Sequence, residues 1–261
     1  MTKALFFDID GTLVSFKTHR IPLSTVEALR AAHDKGIKII ISTGRPMAFI
    51  TNLGALDGLI DGYITANGAS NFIGQTDVSC HCIDRQQAER IIRLSNEMNV
   101  PCVLVGKRSA TDINRNGLFC QIFLDLLNLH VLDVTRHSVE EILDEGVLQV
   151  TPFFDAEQWS RLEPQFPDCL GNRWHPAFVD INKKNVHKGM GLVEFAKYFG
   201  IDISETMAFG DGGNDIPILQ AAGIGIAMGN ADDTVKASAN YVTDHIDSDG
   251  VAKAIAHFNV I

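Results

Sequence analysis

The chain has 261 residues, a formal net charge of −10 and 46% hydrophobic residues. That length allows one large domain or two smaller ones, with a core that needs no disulfides. The acidic balance argues against nucleic acid or an anionic membrane as a partner. Five scattered cysteines fit reduced thiols better than a disulfide framework. Without a signal-peptide pattern or an apolar run of ~18 residues, we expect a cytoplasmic protein.

The first part of the chain alternates buried strands with helices. Ser24 with Glu27 three residues later predicts a capping box at the first helix. The predicted elements are strand 4–7, a helix that ends at Gly36, strand 37–41, helix 46–53 and strand 63–65. This βαβαβ order predicts a doubly wound parallel sheet.

The middle of the chain mixes hairpins with helices. The predicted elements are hairpin 70–83 with Gly74 at its turn, helix 84–99, strand 102–105, helix 118–129, strand 148–154, a helix opened by Asp155 and Gln158, and strands 169–174 and 178–181. This mixture predicts a separate α+β domain.

The alternating pattern returns at Lys188. The predicted elements are helix 188–199 closed by Gly200, strand 206–209, helix 216–222, strand 224–227 and helix 249–258. We therefore predict an α/β domain built from residues 1–82 and 185–261, with residues 83–184 inserted as a second domain.

The first strand runs into the sequence DIDGT at residues 8–12. Ligands of open α/β sheets bind at such strand ends, and Asp8 and Asp10 point the same way in extended backbone. Two close carboxylates repel each other unless a cation or a shared proton lies between them. Mg²⁺ fits oxygen ligands of this kind. For the pair taken alone, a simple Asp-Gly turn is the alternative.

Three further segments carry candidate chemistry. The sequence STGR at residues 42–45 suits a phosphate oxygen, or Thr43 merely caps a helix. Lys188 is either a solvated charge or a cation that balances Asp8 and binds phosphate. The sequence GDGGND at residues 210–215 has three glycines and three carboxylate or amide side chains. That set is hard to explain as a plain turn, which is the alternative, and its acidic side chains would complete an oxygen cage around the metal.

Taken together, the four segments resemble the signature of the haloacid dehalogenase (HAD) superfamily in order and spacing. The inserted domain, STGRP and GDGGNDIPIL are similar to its Cof-type phosphatase branch with an α/β (C2B) cap, and to bacterial hexose-phosphate phosphatases within it. The resemblance covers essentially the whole chain. It implies a Mg²⁺-dependent phosphatase of small phosphate monoesters, above all sugar phosphates, with a catalytic core at 1–82 and 185–261 and a specificity cap at 83–184.

The resemblance also implies a role for each matching residue. Asp8 is the nucleophile that forms a phosphoaspartate, and Asp10 is the general acid and base. The metal is held by the Asp8 side chain, the Asp10 backbone carbonyl and Asp211, with Asp215 in support. The residues implied to bind the phosphoryl group or the substrate are Thr43, Gly44, Arg45, Asn67, Lys188 and Asn214.

Other interpretations stay open. In the cap, Arg173 and Asp180 either contact a sugar hydroxyl or pack as ordinary cap residues. A sugar phosphomutase or phosphotransferase of the same superfamily would use Asp8 and Asp10 with a sugar hydroxyl as acceptor. A phospho-aspartate signalling module also has acidic residues, a Thr or Ser and a Lys at strand ends, but it needs a long-lived acyl phosphate. The sequence does not indicate the physiological substrate, the protein partners or the oligomeric state.

Overall fold

The computed structural model describes residues 1–107, 109–122, 137–173 and 175–261. The chain forms two compact units. The first unit comprises Met1–Gly44, Ile50–Cys80 and His187–Ile261, and the second comprises Arg45–Phe49 and His81–Val186. That the first unit is a catalytic core and the second a specificity cap stays a prediction. No helix formed by the described residues is long and apolar enough to cross a membrane.

An eight-stranded sheet lies at the centre of the first unit. Its strands are β1 (Ala4–Phe7), β2 (Lys38–Ser42), β3 (Gly62–Thr65), β4 (Ser70–Ile73), β5 (Thr76–Cys80), β11 (Thr206–Gly210), β12 (Ile224–Ala227) and β13 (Tyr241–Val242). They are ordered β13-β12-β11-β1-β2-β3-β4-β5. The hairpin strands β4 and β5 are antiparallel, and the others are parallel. The predicted α/β class is confirmed.

Helices cover both faces of this sheet. They are α1 (Leu23–Asp34), α6 (Lys188–Phe199), α7 (Ile216–Ala221), α8 (Asp233–Ala237) and α9 (Gly250–His257). Neighbouring residues of a strand point to opposite faces. Phe7 accordingly packs in one apolar cluster with residues of α1 and α9, and Phe6 packs in another with residues of α6 and α7. The core therefore lies on both sides of β1 and leaves its carboxyl end for polar groups.

The second unit contains an antiparallel sheet with strand order β7-β6-β8-β10-β9. Its strands are β6 (Cys102–Gly106), β7 (Ala110–Ile113), β8 (Val147–Pro152), β9 (Cys169–Asn172) and β10 (Asp180–Lys183), and its helices are α2 (Arg85–Glu97), α3 (Gly117–Phe119), α4 (Val139–Glu145) and α5 (Ala156–Leu162). Residues of α2, α4 and α5 pack against one face of the sheet. The predicted α+β class is confirmed for this unit, whereas the hairpin predicted at 70–83 as part of the middle region belongs to the sheet of the first unit as β4 and β5. Residues 123–129 of the predicted helix 118–129, and Trp174 of the predicted strand 169–174, lie outside the described residues.

Two local predictions are wrong. The helix α1 begins at Leu23 after Pro22, with no side-chain cap, so Ser24 lies inside the first turn and not at its boundary. Its hydroxyl donates instead to Asp249 Oδ1 at 2.5 Å. The predicted helix 46–53 is replaced by single 3₁₀ turns at Met47–Phe49 and Gly54–Leu56, since the intervening Ile-Thr-Asn run has low helix propensity.

Candidate active site

Three carboxylates meet at the carboxyl ends of β1 and β11, which are neighbours in the sheet. Asp8 follows β1, Asp211 follows β11, and Asp215 precedes α7. Carboxylate oxygens of these three residues lie within 4.8 Å of one another. Like charges at that separation require nearby positive charge or a shared proton.

The chain supplies a cation to this cluster. Lys188 is the first residue of α6, and its Nζ lies 2.6 Å from Asp8 Oδ1 and 2.6 Å from Asp215 Oδ1. The lysine is fully buried, so it is not a solvated charge. Burial by itself lowers the pKa of Lys188, but the attraction of Asp215 and Asp8 outweighs burial and raises it above the usual value. The ammonium therefore stays charged.

Negative charge still exceeds positive charge in the cluster. Burial raises the pKa of Asp8 well above its usual range, Asp215 raises it further, and Lys188 offsets only part of this rise. Burial and the charge of Asp215 also raise the pKa of Asp211 to about 7. Among the described residues, no histidine or cysteine joins the group. A hard divalent cation with oxygen ligands fits this donor set, and it would stabilise the ionised carboxylates.

Two polar residues that the sequence analysis did not single out position Asp211. The Thr12 hydroxyl donates to Asp211 Oδ1 at 2.8 Å. Asn230 Nδ2 donates to the carbonyl of Gly11 at 2.8 Å and lies 3.3 Å from Asp211 Oδ2. Thr12 could have been identified from its place in DIDGT, whereas Asn230 lies in a segment without a signal of this kind.

Both oxygens of Asp215 have partners on the chain. Oδ1 accepts the bond from Lys188, and Oδ2 accepts the backbone N–H groups of Asp211 (3.0 Å) and Gly212 (2.9 Å). A Cβ at Gly210 would lie 2.4 Å from the Asp215 Cβ, which explains a glycine there. Asp215 thus holds the loop and the lysine in place, as a supporting residue would.

Asp10 lies in a tight loop after β1. The N–H of Gly11 donates to the carbonyl of Val14 within this loop. The charge of Asp10 contributes to the raised pKa values of both Asp8 and Asp211, although its carboxylate is not one of the three clustered carboxylates. The fold therefore brings Asp10 near both residues.

The segment after β2 meets two amide side chains. The N–H of Thr43 donates to the carbonyl of Ile64 at 2.8 Å, so this N–H is not a phosphate donor. Because no helix follows at 46–53, Thr43 does not act as its cap either. Asn214 Nδ2 donates to Asn67 Oδ1 at 3.0 Å. A Cβ at Gly44 would lie 3.1 Å from Asn67 Oδ1, so the amide pair is packed against this glycine.

The remaining predicted site residues belong to the second unit. Arg45 donates to a backbone carbonyl within its own five-residue segment. The Arg173 guanidinium donates to the carbonyls of Phe178 (2.7 Å) and Phe154 (2.9 Å), which ties two loops together. Asp180 is buried and accepts a bond from a threonine hydroxyl of β8. For these three residues, contact with a substrate stays a prediction.

Comparison with known proteins places this site in a family. A model of haloacid dehalogenase-like hydrolases matches residues 5–255. The structure is similar to that of the HAD subclass IIB sugar phosphatase BT4131, with 47% identity, a TM-score of 0.91 and coverage of 100% of both chains. It is also similar to the HAD phosphatase BT1666 from Bacteroides thetaiotaomicron, with 37% identity, a TM-score of 0.88 and coverage of 100% of this chain and 96% of that one.

A sequence relative extends the comparison to another organism. The 5-amino-6-(5-phospho-D-ribitylamino)uracil phosphatase YcsE of Bacillus subtilis (strain 168) is 29% identical, over 98% of this chain and 95% of the relative. The matches span the chain almost from end to end. A hydrolase family is consistent with the acidic cluster at the carboxyl ends of β1 and β11. The chain belongs to the haloacid dehalogenase-like hydrolase family, as a phosphatase of its Cof-type subclass IIB branch.

Proposed function

We propose that this phosphatase hydrolyses small sugar phosphates with Mg²⁺, through a phosphoaspartate on Asp8. The observation that carries the proposal is the buried Lys188 ammonium, 2.6 Å from both Asp8 and Asp215. An anionic nucleophile approaches an anionic phosphate only where positive charge offsets both. Lys188 supplies one such charge, and the surplus of carboxylates leaves room for a second.

The second charge in this proposal is Mg²⁺. The Asp8 side chain, the Asp10 carbonyl and Asp211 would hold it, and Asp215 would support the site through Lys188 and the 211–212 backbone. A bound Mg²⁺ would withdraw electron density from the phosphoryl group and neutralise its charge. The raised pKa values of Asp8 and Asp211 support the assignment, because a cation is what makes their ionised forms favourable.

The reaction has two halves. In the first half, a carboxylate oxygen of Asp8 attacks phosphorus, and the new O–P bond forms as the bond from phosphorus to the sugar oxygen breaks. Asp10 gives its proton to the leaving alkoxide. Asp10, now a carboxylate, then takes a proton from a water whose oxygen attacks the phosphoaspartate. Inorganic phosphate leaves and Asp8 is regenerated. The residues proposed to hold the phosphoryl group are Thr43, Lys188 and Asn214, and those proposed to line the substrate site around it are Gly44, Arg45 and Asn67.

The sugar part of the proposal rests on similarity to a sugar phosphatase at 47% identity. The second unit would select the leaving group, with Asp180 and Arg173 as candidate contacts. Both residues also have contacts within the second unit, since Arg173 donates to backbone carbonyls and Asp180 accepts a bond from the Thr151 hydroxyl.

Phosphate release from a panel of phosphorylated metabolites tests the proposal. The panel holds hexose and pentose phosphates, phosphoglycolate and 5-amino-6-(5-phospho-D-ribitylamino)uracil, each with Mg²⁺ and with a chelator. We expect Mg²⁺-dependent release that is fastest from a sugar phosphate. A ranking headed by the ribitylaminouracil ester would refute the sugar assignment alone, and an isomerised sugar phosphate without free phosphate would establish a mutase. A phosphorylated Asp8 that lasts for hours would indicate a signalling module.

Replacing Gly11 by alanine is expected to weaken Mg²⁺ binding by about tenfold or more, the effect of disturbing a residue that orients a metal ligand. A Cβ at Gly11 would lie only 2.1 Å from Asp211 Oδ2, so the carboxylate must move. Mg²⁺ titration by calorimetry measures the change.

Gly36→Ala is the matched control for this substitution. Gly36 has φ +80 against +88 at Gly11, but a Cβ there would meet no atom of the described residues within 4 Å. Both variants should lose about 1 kcal/mol of stability from the left-handed backbone, and only Gly11→Ala should lose Mg²⁺ affinity. Equal Mg²⁺ affinity in the two variants would contradict the placement of Asp211 in the metal site.

A further inference from the structure

The turn after β3 has an unusual backbone. Ala66, Asn67 and Gly68 have φ values of 47°, 56° and 98°, which places three successive residues in the left-handed region. Glycine and asparagine tolerate this region, whereas alanine does not favour it. A buried turn with this strain persists only where surrounding contacts hold it.

The turn is held by contacts with three segments of the site. The N–H of Asn67 donates to the carbonyl of Thr43 at 3.1 Å. Asn67 Oδ1 accepts the bond from Asn214 Nδ2. A Cβ at Gly68 would lie 2.6 Å from the carbonyl oxygen of His187, directly before Lys188. One turn therefore meets the segments that carry Thr43, Lys188 and Asn214.

A buried side chain fixes the turn from its other side. Asn71 is fully buried in β4, and its Nδ2 donates to the carbonyl of Gly68 at 3.1 Å and to Glu194 Oε2 at 2.8 Å. Glu194 belongs to α6, the same helix that begins with Lys188. The position of the turn is therefore tied to the helix that carries the lysine.

The amide of Asn214 has a defined orientation in this arrangement. Its Oδ1 lies against Gly212, where a Cβ would be 2.8 Å away, and its Nδ2 lies towards Asn67 and Gly44. An amide nitrogen carries two N–H groups. Asn67 Oδ1 accepts one of them, so the nitrogen and not the oxygen is directed to the Gly44 side, where the second N–H can serve an anion.

We propose that Asn67 is a positioning residue, which orients the Asn214 amide so that an N–H group is presented to the phosphoryl oxygens. The inference rests on the proposed function, in which Asn214 binds the phosphoryl group. Asn67 then acts through Asn214 and does not itself contact the phosphate. Without Asn67 Oδ1, the Asn214 amide would lose its preferred orientation and would present oxygen to the anion part of the time.

A double-mutant cycle tests this dependence. The affinity for inorganic phosphate in the presence of Mg²⁺ is measured by calorimetry for the wild type, Asn67→Gly, Asn214→Ala and the double variant. Glycine suits the φ of 56°, so Asn67→Gly removes the amide while keeping the backbone. We expect about tenfold weaker phosphate binding in Asn67→Gly, as for one hydrogen bond. In the Asn214→Ala background, the same change should cost less than about twofold.

Two further variants sharpen the test. Asn259→Gly is the control, since Asn259 is an exposed asparagine with φ 52°, and its phosphate affinity should equal that of the wild type. Gly44→Ala places a Cβ 3.1 Å from Asn67 Oδ1 and 3.3 Å from Asn214 Nδ2, so it crowds the amide pair and should also weaken phosphate binding.

The outcomes separate this inference from the proposed function. Losses that multiply in the double variant would show that Asn67 contacts the phosphate directly and would overturn the inference, as would wild-type affinity in Asn67→Gly. A wild type that binds phosphate but hydrolyses no ester would refute the proposed function and leave the cycle valid.

Discussion

Asp8→Asn is expected to lower kcat for a sugar phosphate on the order of 10⁶-fold, as loss of a nucleophile does in other enzymes with covalent intermediates. The carboxamide is a poor nucleophile and cannot form the acyl phosphate. Phosphate release at saturating Mg²⁺ and substrate measures the loss. A kcat within about tenfold of the wild type would show that the phosphoryl group does not pass through Asp8.

The same substitution is expected to leave the fold intact and to raise its stability in the absence of metal. Burial and Asp215 raise the pKa of Asp8, so its ionised form is unfavourable in the folded state. An uncharged side chain of the same shape removes this repulsion, while Lys188 keeps Asp215 as its partner. Urea unfolding at pH 8 with a chelator should give a higher midpoint than the wild type. A lower midpoint would mean that the lost activity reflects damage to the fold.

Asp61→Asn is the matched control for Asp8→Asn. Asp61 also pairs with a lysine, Lys38 at 2.7 Å, but the pair lies at the amino-terminal ends of β2 and β3. This substitution removes one carboxylate charge from the same sheet without touching the acidic cluster. Its kcat should match that of the wild type, so a parallel loss in both variants would point to a general effect of charge.

The meeting of Asp8 and Asp211 can be predicted from the sequence, because each directly follows a buried strand of the parallel sheet. Apolar runs mark β1 and β11 as buried strands, and the carboxyl ends of parallel strands lie at one edge of a sheet. The residues that follow those runs must therefore come close together. The burial of Lys188 follows less directly, since the sequence is equally compatible with a solvated lysine at a helix start.

The hydrogen bonds that position these groups cannot be predicted in the same way. Asn230 reaches the carbonyl of Gly11 across 219 residues of sequence, through a loop without a periodic pattern. The turn at Asn67 depends on a left-handed Ala66, and alanine has no preference for that conformation. Such contacts depend on how side chains from distant parts of the chain pack against the folded sheet.

The error at residues 46–53 has a local cause. Apolar residues at helical spacing favour a helix. In this segment, residues with that spacing are buried by two short 3₁₀ turns instead. These turns bury Phe49, Leu53 and Leu56 without a continuous helix. Periodicity identifies which side chains are buried more reliably than it identifies the backbone that buries them.

Among the substitutions proposed here, Lys188→Met is expected to cause the largest loss of stability. It should lower the free energy of unfolding by about 3–5 kcal/mol at pH 8 without metal. The substitution leaves buried carboxylates without their cation, and breaking a buried ion pair from one side costs this much. Methionine keeps a similar shape, so the effect reports charge rather than a cavity. Activity should also be lost, because Lys188 is proposed to hold the phosphoryl group.

Lys38→Met provides the matched control, since the Lys38 side chain is 40% exposed and pairs with one carboxylate. An exposed ion pair contributes about 0–1 kcal/mol. Urea unfolding of the two variants should therefore differ by several kcal/mol. Similar losses would show that the Lys188 pairs contribute no more than a surface contact.

The loss in Lys188→Met should depend on pH and on metal. Lys188 lowers the pKa of Asp8 and the pKa of Asp211. The pKa of Asp211 is about 7 even with the lysine present. Carboxyl groups with raised pKa values bind more protons in the folded state than in the unfolded state, where an aspartate has a pKa of about 4. The folded state therefore loses stability as pH rises from the unfolded pKa to the raised folded pKa. Removing the lysine raises both pKa values further, and the variant should lose less stability at pH 5 than at pH 8.

Mg²⁺ at pH 8 should restore part of the stability lost in Lys188→Met by binding only the folded state. A loss that is independent of both pH and Mg²⁺ would show that Lys188 supports packing rather than the charge balance on which the proposed chemistry depends.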